Sequence, residues 1–161
     1  MTKVSKKWLI GFIEGEGNFN VVLSKSFNGK WYPFEYYPIL QFRIFLRKDD
    51  SEVLKKIKNT LGVGKIYQKN MAYYRKKGIN SQDQEVFCIS SLKELGQFRT
   101  FLLNSTFHSK KKEDMTNFFK ILDLKKSKAH LNKEGNNQIL ALALNMNSKN
   151  RENFKVKPLT E

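Results

Sequence analysis

The sequence predicts an α+β domain in which helices pack on one face of an antiparallel sheet. Three observations predict it. The hydrophobic period alternates between helix-like and strand-like in the order α-β-β-α-β-β over the first ninety residues. Only the helical period persists after residue 91. The 161 residues, 40% of them hydrophobic, suit one domain with a real core. There is no internal repeat or low-complexity tract, so one domain is expected over 1–147, with a polar tail from Ser148.

The elements follow in order. Residues 5–16 read as a short helix: Ser5 can cap it, Trp8, Leu9, Phe12 and Ile13 recur at helical spacing, and Gly15 and Gly17 are expected to end it. A strand is expected over 18–26, where Phe19, Val21 and Leu23 alternate with Asn18, Asn20, Val22 and Ser24. The segment from Phe27 to about Pro38 reads as an aromatic loop with Lys30, Trp31, Tyr32, Phe34, Tyr36 and Tyr37. The clearest alternation covers about 39–48, with Leu40, Phe42, Ile44 and Leu46 on one face and Gln41, Arg43, Phe45 and Arg47 on the other. A helix over 50–61 is capped by Asp50 or Ser51 and stopped by Gly62. A strand near 64–70 places Lys65, Tyr67 and Lys69 together, and a basic turn from Tyr73 to Gly78 leads to a strand near 84–90. Helices are expected over about 92–104, 110–125 and 136–146.

Charge narrows the partners. Thirty Lys and Arg residues stand against fifteen acidic ones, a formal charge of +15. Such a field attracts polyanions. No apolar run approaches the roughly 20 residues that span a bilayer, and Glu14 and Glu16 interrupt the apolar stretch Trp8–Ile13, which makes a poor secretory leader. Nucleic acid is therefore the expected partner, and no membrane is. The single cysteine, Cys88, allows no internal disulfide and fits a reducing compartment. It reads as a small strand residue. His108 and His130 are isolated and make no metal motif. With the sheet's apolar face covered by helices, the opposite face is left to Gln41, Arg43, Phe45, Arg47, Lys65, Tyr67 and Lys69, and a strand of about ten residues spans roughly 33 Å, near one turn of B-DNA at roughly 34 Å.

One segment carries chemistry. Leu9-Ile10-Gly11-Phe12-Ile13-Glu14-Gly15-Glu16-Gly17, preceded by Trp8 and followed by Asn18-Phe19, resembles the LAGLIDADG signature of homing endonucleases. Leu40 to Gly64 is similar to the family's second strand, following helix and turn, Ser109–Met115 to its late lysine segment, and Met146-Asn147 through Arg151 to a C-terminal feature. The resemblance implies an αββαββα core whose sheet forms a DNA-binding saddle. It implies that Asn20, Val22 and Ser24 join the sheet residues above in contacting double-stranded DNA. It implies Glu16 as the catalytic, metal-holding carboxylate, Gly15 as the donor of a backbone carbonyl to the metal, Glu14 as a capping and packing position, and Lys111 as the active-site lysine. The family often has a polar residue at the position of Leu46 and a basic one at Asp50; this sequence departs at both.

The physics of that helix can be read beside the resemblance. Gly11 and Gly15 lie four apart on one face, where a second helix could approach closely. Glu16 stands where the last helical carbonyls are partly negative, and carboxylate plus carbonyl oxygens suit a hard cation such as Mg²⁺, with Mn²⁺ as a substitute. Only one copy of the motif is present, so a homodimer centred on Trp8, Gly11, Phe12 and Gly15 is expected, bringing two Glu16 side chains together. The activity implied is intron-encoded, site-specific cleavage of a long pseudo-palindromic DNA target. Two other functions share these features: a maturase that binds intron RNA, and a non-catalytic basic DNA-binding module. The many Lys, Asn and Ile residues hint at an AT-rich genome, in an organelle (mitochondrion or chloroplast) or a prokaryotic cytoplasm.

Overall fold

A computed structural model describes residues 2–26 and 32–146. The expectations for Lys30 and Trp31, for the tail from Ser148 and for the Asn147–Arg151 segment lie outside the described residues. The elements are α1 (Lys6–Glu16), β1 (Gly17–Lys25), β2 (Tyr36–Arg47), α2 (Ser51–Leu61), β3 (Lys65–Lys69), α3 (Ala72–Lys76), β4 (Gln84–Ile89), α4 (Leu92–Leu102), α5 (Lys111–Lys126) and α6 (Lys133–Met146). The strands form one antiparallel sheet in the order β1-β2-β4-β3.

The chain gathers into two compact units. The first comprises the residues up to Phe19 with Gln41–Ser109. Its core is built from Leu9 and Ile13 of α1, Phe42 and Ile44 of β2, Leu54 and Ile57 of α2, Phe87 and Ile89 of β4, and Leu95 and Phe98 of α4, all fully buried. The Phe42 and Phe98 rings are tilted with centroids 4.4 Å apart, and Phe42 lies 5.1 Å from Phe19, so the start of β1, just past α1, is fastened to this aromatic cluster. The second unit comprises Asn20–Leu40 with the chain from Lys110 on. Here Phe118, Ile121 and Leu122 of α5 and Ile139 and Ala143 of α6 are buried, and Tyr32 donates to Asn136 Oδ1 at 2.8 Å. Burial raises the Tyr32 phenol to about 12, so it stays a donor. Lys125, only 5% exposed, donates to the Pro38 carbonyl, and its ammonium lies 4.0 Å from the centroid of the Tyr37 ring.

Several boundaries differ from the sequence reading. Gly15 lies inside α1, and the helix is ended by Gly17 alone, in an extended conformation whose N–H bonds Ile13 O. A Cβ at Gly17 would meet that same oxygen at 2.5 Å and the Phe42 ring at 3.0 Å, so the tight passage from helix to strand excludes a side chain. Strand β2 begins at Tyr36 rather than 39, because its first residues extend beyond the strictly alternating stretch. Asp50 makes no capping hydrogen bond; a 3-10 turn over Lys48–Asp50 leads into α2 instead. The basic turn after β3 holds a helical turn, α3, fixed by Arg75 and the Met71 N–H, both bonded to Asp83 (2.8 and 3.0 Å).

Candidate nuclease site and nucleic-acid interface

Helix α1 shows two faces. Ser5 caps it, accepting from the Trp8 N–H at 3.3 Å. Leu9 and Ile13 face the core of the first unit. The other face carries Trp8 (44% exposed), Gly11, Phe12 and Gly15. The Trp8 and Phe12 rings stack at 4.8 Å with an interplanar angle of 15°. Cβ atoms at Gly11 and Gly15 would meet nothing within 4 Å. The expected contact residues therefore form one ridge of exposed Trp8, half-buried Phe12 and bare backbone.

The two glutamates of the helix diverge. Glu16, the last residue of α1, is exposed at its C-terminal end, next to the Gly15 carbonyl. Glu14 turns back onto its own unit, and its Oε1 accepts from the backbone N–H groups of His108 (2.5 Å) and Ser109 (2.6 Å). The Ser109 N–H, ahead of the His108 one, holds the Glu14 carboxyl below its ordinary value. The Glu14 carboxylate thus fastens the loop that leads, two residues later, to Lys111, the first residue of α5 in the second unit. A packing role for Glu14 and a distinct role for Glu16 are both compatible with this geometry.

In the first unit, the outward face of the sheet is ordered by register. Arg43 pairs with Cys88, and Cys88 with Lys65. Phe45 pairs with Val86, and Val86 with Tyr67. Arg47 pairs with Gln84, and Gln84 with Lys69. The guanidinium of Arg43 and the ammonium of Lys69 each lie 5.2 Å from the centroid of the Phe45 ring. Arg47 is engaged by Asp49 at 2.5 Å. On β1, Val22 is exposed and Asn20 and Ser24 are half-buried, opposite the buried Phe19, Val21 and Leu23. Gln41 is half-buried on the same side of β2 as Arg43. Leu46 and Asp50, where the sequence departs from the family pattern, are respectively half-buried and exposed.

Sequence reasoning expected a strand near 84–90 but left its residues out of this face, of which it is the middle strand in this unit. Gln84, Val86 and Cys88 of β4 point outward with it. The run Glu85–Ile89 is almost wholly apolar, so its alternation was hidden; only the pairing with Arg43, Phe45 and Arg47 shows which side each residue takes. Cys88 is a half-buried strand residue whose thiol is pushed up by burial, which suits packing rather than nucleophilic chemistry. His108 is exposed in the loop after α4, and His130 lies half-buried beside Tyr32 in a 3-10 turn, stacked at 6.1 Å. Among the described residues no three His, Cys, Asp or Glu side chains gather as a metal cluster, and no helix is long and apolar enough to cross a membrane.

Comparison with known proteins bears on these features. A family model described as LAGLIDADG endonuclease matches residues 9–122. A "Probable intron-encoded endonuclease 3" of Neurospora crassa is 28% identical over 138 residues, 85% of this chain and 24% of the relative, so the chain spans about a quarter of that protein's length. The solved homing endonuclease I-TnaI is similar at a TM-score of 0.79 and 28% identity, with 94% of each chain covered. I-SmaMI, solved bound to uncleaved DNA target in the presence of calcium ions, is similar at 0.75 and 25% identity, over 88% of this chain and 44% of its own.

Proposed function

The chain belongs to the LAGLIDADG homing endonuclease family, and from that premise we propose that it cuts double-stranded DNA at one long, pseudo-palindromic site as a homodimer. The observation that carries this reading is helix α1: a ridge of exposed Trp8, Gly11 and Gly15 with half-buried Phe12 that ends in an exposed carboxylate, Glu16. Against a second copy, the two bare glycine positions allow close helix approach, and the two Glu16 side chains come together near the symmetry axis. The chain covers 44% of I-SmaMI, so a second copy supplies a comparable length of protein.

The donors at the end of α1 fit a hard divalent cation. They are oxygens only, the Glu16 carboxylate and the Gly15 carbonyl, and Mg²⁺ is commonly held by one or two carboxylates with waters and substrate phosphates. Calcium accompanies DNA in the I-SmaMI structure; Mg²⁺, with Mn²⁺ able to substitute, is the ion proposed here. The chemistry such an ion supplies when bound is polarisation of the phosphodiester and of the attacking water. The remaining work falls to the chain. Glu16 holds negative charge at the helix end. Glu14 fixes the His108–Ser109 backbone that leads to Lys111, whose ammonium would neutralise phosphate charge. Gln41, Arg43, Phe45 and the cations of β3 orient the duplex. An intron in an AT-rich genome is the genetic setting this reading favours.

Glu16→Gln tests the proposal. The change keeps size and hydrogen bonding and removes the charge that holds the cation. Losing several kcal/mol of transition-state stabilisation slows cleavage on the order of a thousandfold, while gel-shift affinity for the intron-free host allele is retained. A Glu16→Gln protein that cuts that allele in Mg²⁺ at near wild-type rate would refute the assignment.

A further inference from the structure

The outward face of the first unit is not uniformly basic. Its middle row, Phe45–Val86–Tyr67, is apolar, and rows with cationic ends lie on either side, Arg43–Cys88–Lys65 and Arg47–Gln84–Lys69. Val86 is fully buried although it points outward, while Tyr67 beside it is 45% exposed. Arg43 and Lys69 come from the two flanking rows, yet both lie 5.2 Å from the Phe45 ring centroid. With Val86 covered, the surface the row offers is the half-buried Phe45 ring and the exposed Tyr67 ring, a small apolar platform framed by charge. We propose that it selects thymine, through the 5-methyl group, at one position in each half-site. This deepens the endonuclease reading and rests on it.

The chemistry and the spacing both favour that ligand. In the major groove, thymine alone presents a methyl group, and apolar side chains, Phe among them, are its usual contacts. A duplex backbone offers nothing to an apolar row, because it is an array of charged phosphates and sugars. Successive rows on one face of a strand are two residues apart, roughly 6.6–6.8 Å. Two base steps along one DNA strand also span roughly 6.8 Å. The flanking cationic rows then lie about two base pairs to either side of the thymine. Arg43, in one of them, has the guanidinium fork that pairs with guanine O6 and N7.

The probe is a randomised duplex library. The protein selects from it in Ca²⁺, and the enriched pool is amplified once with dTTP and once with dUTP, which differs only in lacking the methyl group. The selected sequences should show thymine at one fixed position per half-site, and uracil there should weaken binding about fourfold per half-site, the worth of one buried methyl. In Tyr67→Ser and Phe45→Ala proteins the ratio between the two pools should fall towards one. Tyr67 lies on the edge strand β3, so its replacement checks the platform even if Phe45→Ala fails to fold. Equal affinity of the wild-type protein for both pools overturns the inference and leaves the endonuclease reading standing. A protein that enriches no sequence at all overturns both.

Discussion

Glu14 and Glu16 lie two positions apart on α1, and their surroundings give them opposite duties. The two backbone N–H groups on Glu14 favour its ionised form. A carboxyl with a folded value below its unfolded value of 4.5 stabilises the fold above that value, and the contribution is lost as pH falls through the folded value. The Tm deficit of Glu14→Gln should therefore be largest near neutral pH and shrink as pH falls below 4.5, as thermal melts followed by circular dichroism would register. An equal deficit at pH 7 and pH 3 would show that the charge contributes nothing. His130 titrates with the same sign in the other unit. Burial, then the nearby Lys125, lowers it from 6.5 and favours the neutral ring. Its contribution is intact above 6.5 and falls away as the solution is acidified through the folded value. His130→Phe keeps a ring against Tyr32 and should lessen the fall in Tm between pH 7.5 and 5; an unchanged fall would assign the acid sensitivity elsewhere.

At the scale of elements, α1 is the part of the molecule whose sequence says most. The ridge residues Trp8, Gly11, Phe12 and Gly15 and the core residues Leu9 and Ile13 separate by helical period alone, and the structure keeps that division. Gly15→Leu would add a side chain whose Cβ meets no neighbouring element within 4 Å. The isolated subunit should therefore fold with no loss in Tm, because leucine is a better helix former than glycine. Self-association should weaken instead, which sedimentation would show as a monomer at concentrations where the parent protein is dimeric. A fully active Gly15→Leu dimer would remove the helix from the interface. Strand β2 was legible for the same reason as α1, since a half-buried strand writes its two faces as alternation. Strand β4 was legible as a strand but its two faces were not, because Val86 is apolar on the outward face and only pairing reveals it. The turn after β3 concealed α3, since five residues are too few for a helical period, and the Asp83 contacts that fix it are non-local. The cap of α2 failed for a different cause: Asp50 is spent inside a 3-10 turn, a choice between two tight backbones that residue type alone does not decide.

For the whole molecule, the +15 charge is the property that reaches furthest into solution. If the dimer neutralises about six phosphates, log affinity should fall with log salt at a slope of roughly −5, at about −0.9 per contact. That is a loss of about a thousandfold between 50 and 200 mM salt. The cations on the sheet should not share this slope equally. Arg47 already has Asp49 at 2.5 Å, so it brings little uncompensated charge to the duplex, and releasing it requires breaking an existing pair. Lys65 is exposed on the edge strand β3, and no Asp or Glu lies beside it in its row, Arg43–Cys88–Lys65. Lys65→Ala should therefore make the slope shallower by about 1.8, one contact in each of two subunits, while Arg47→Ala changes it less. Fluorescence anisotropy of a labelled target over that salt range measures both. An affinity that varies less than tenfold would mean that the charge of this chain is not spent on phosphates. A larger effect at Arg47 than at Lys65 would mean that DNA displaces Asp49 and that the ion pair is broken on binding.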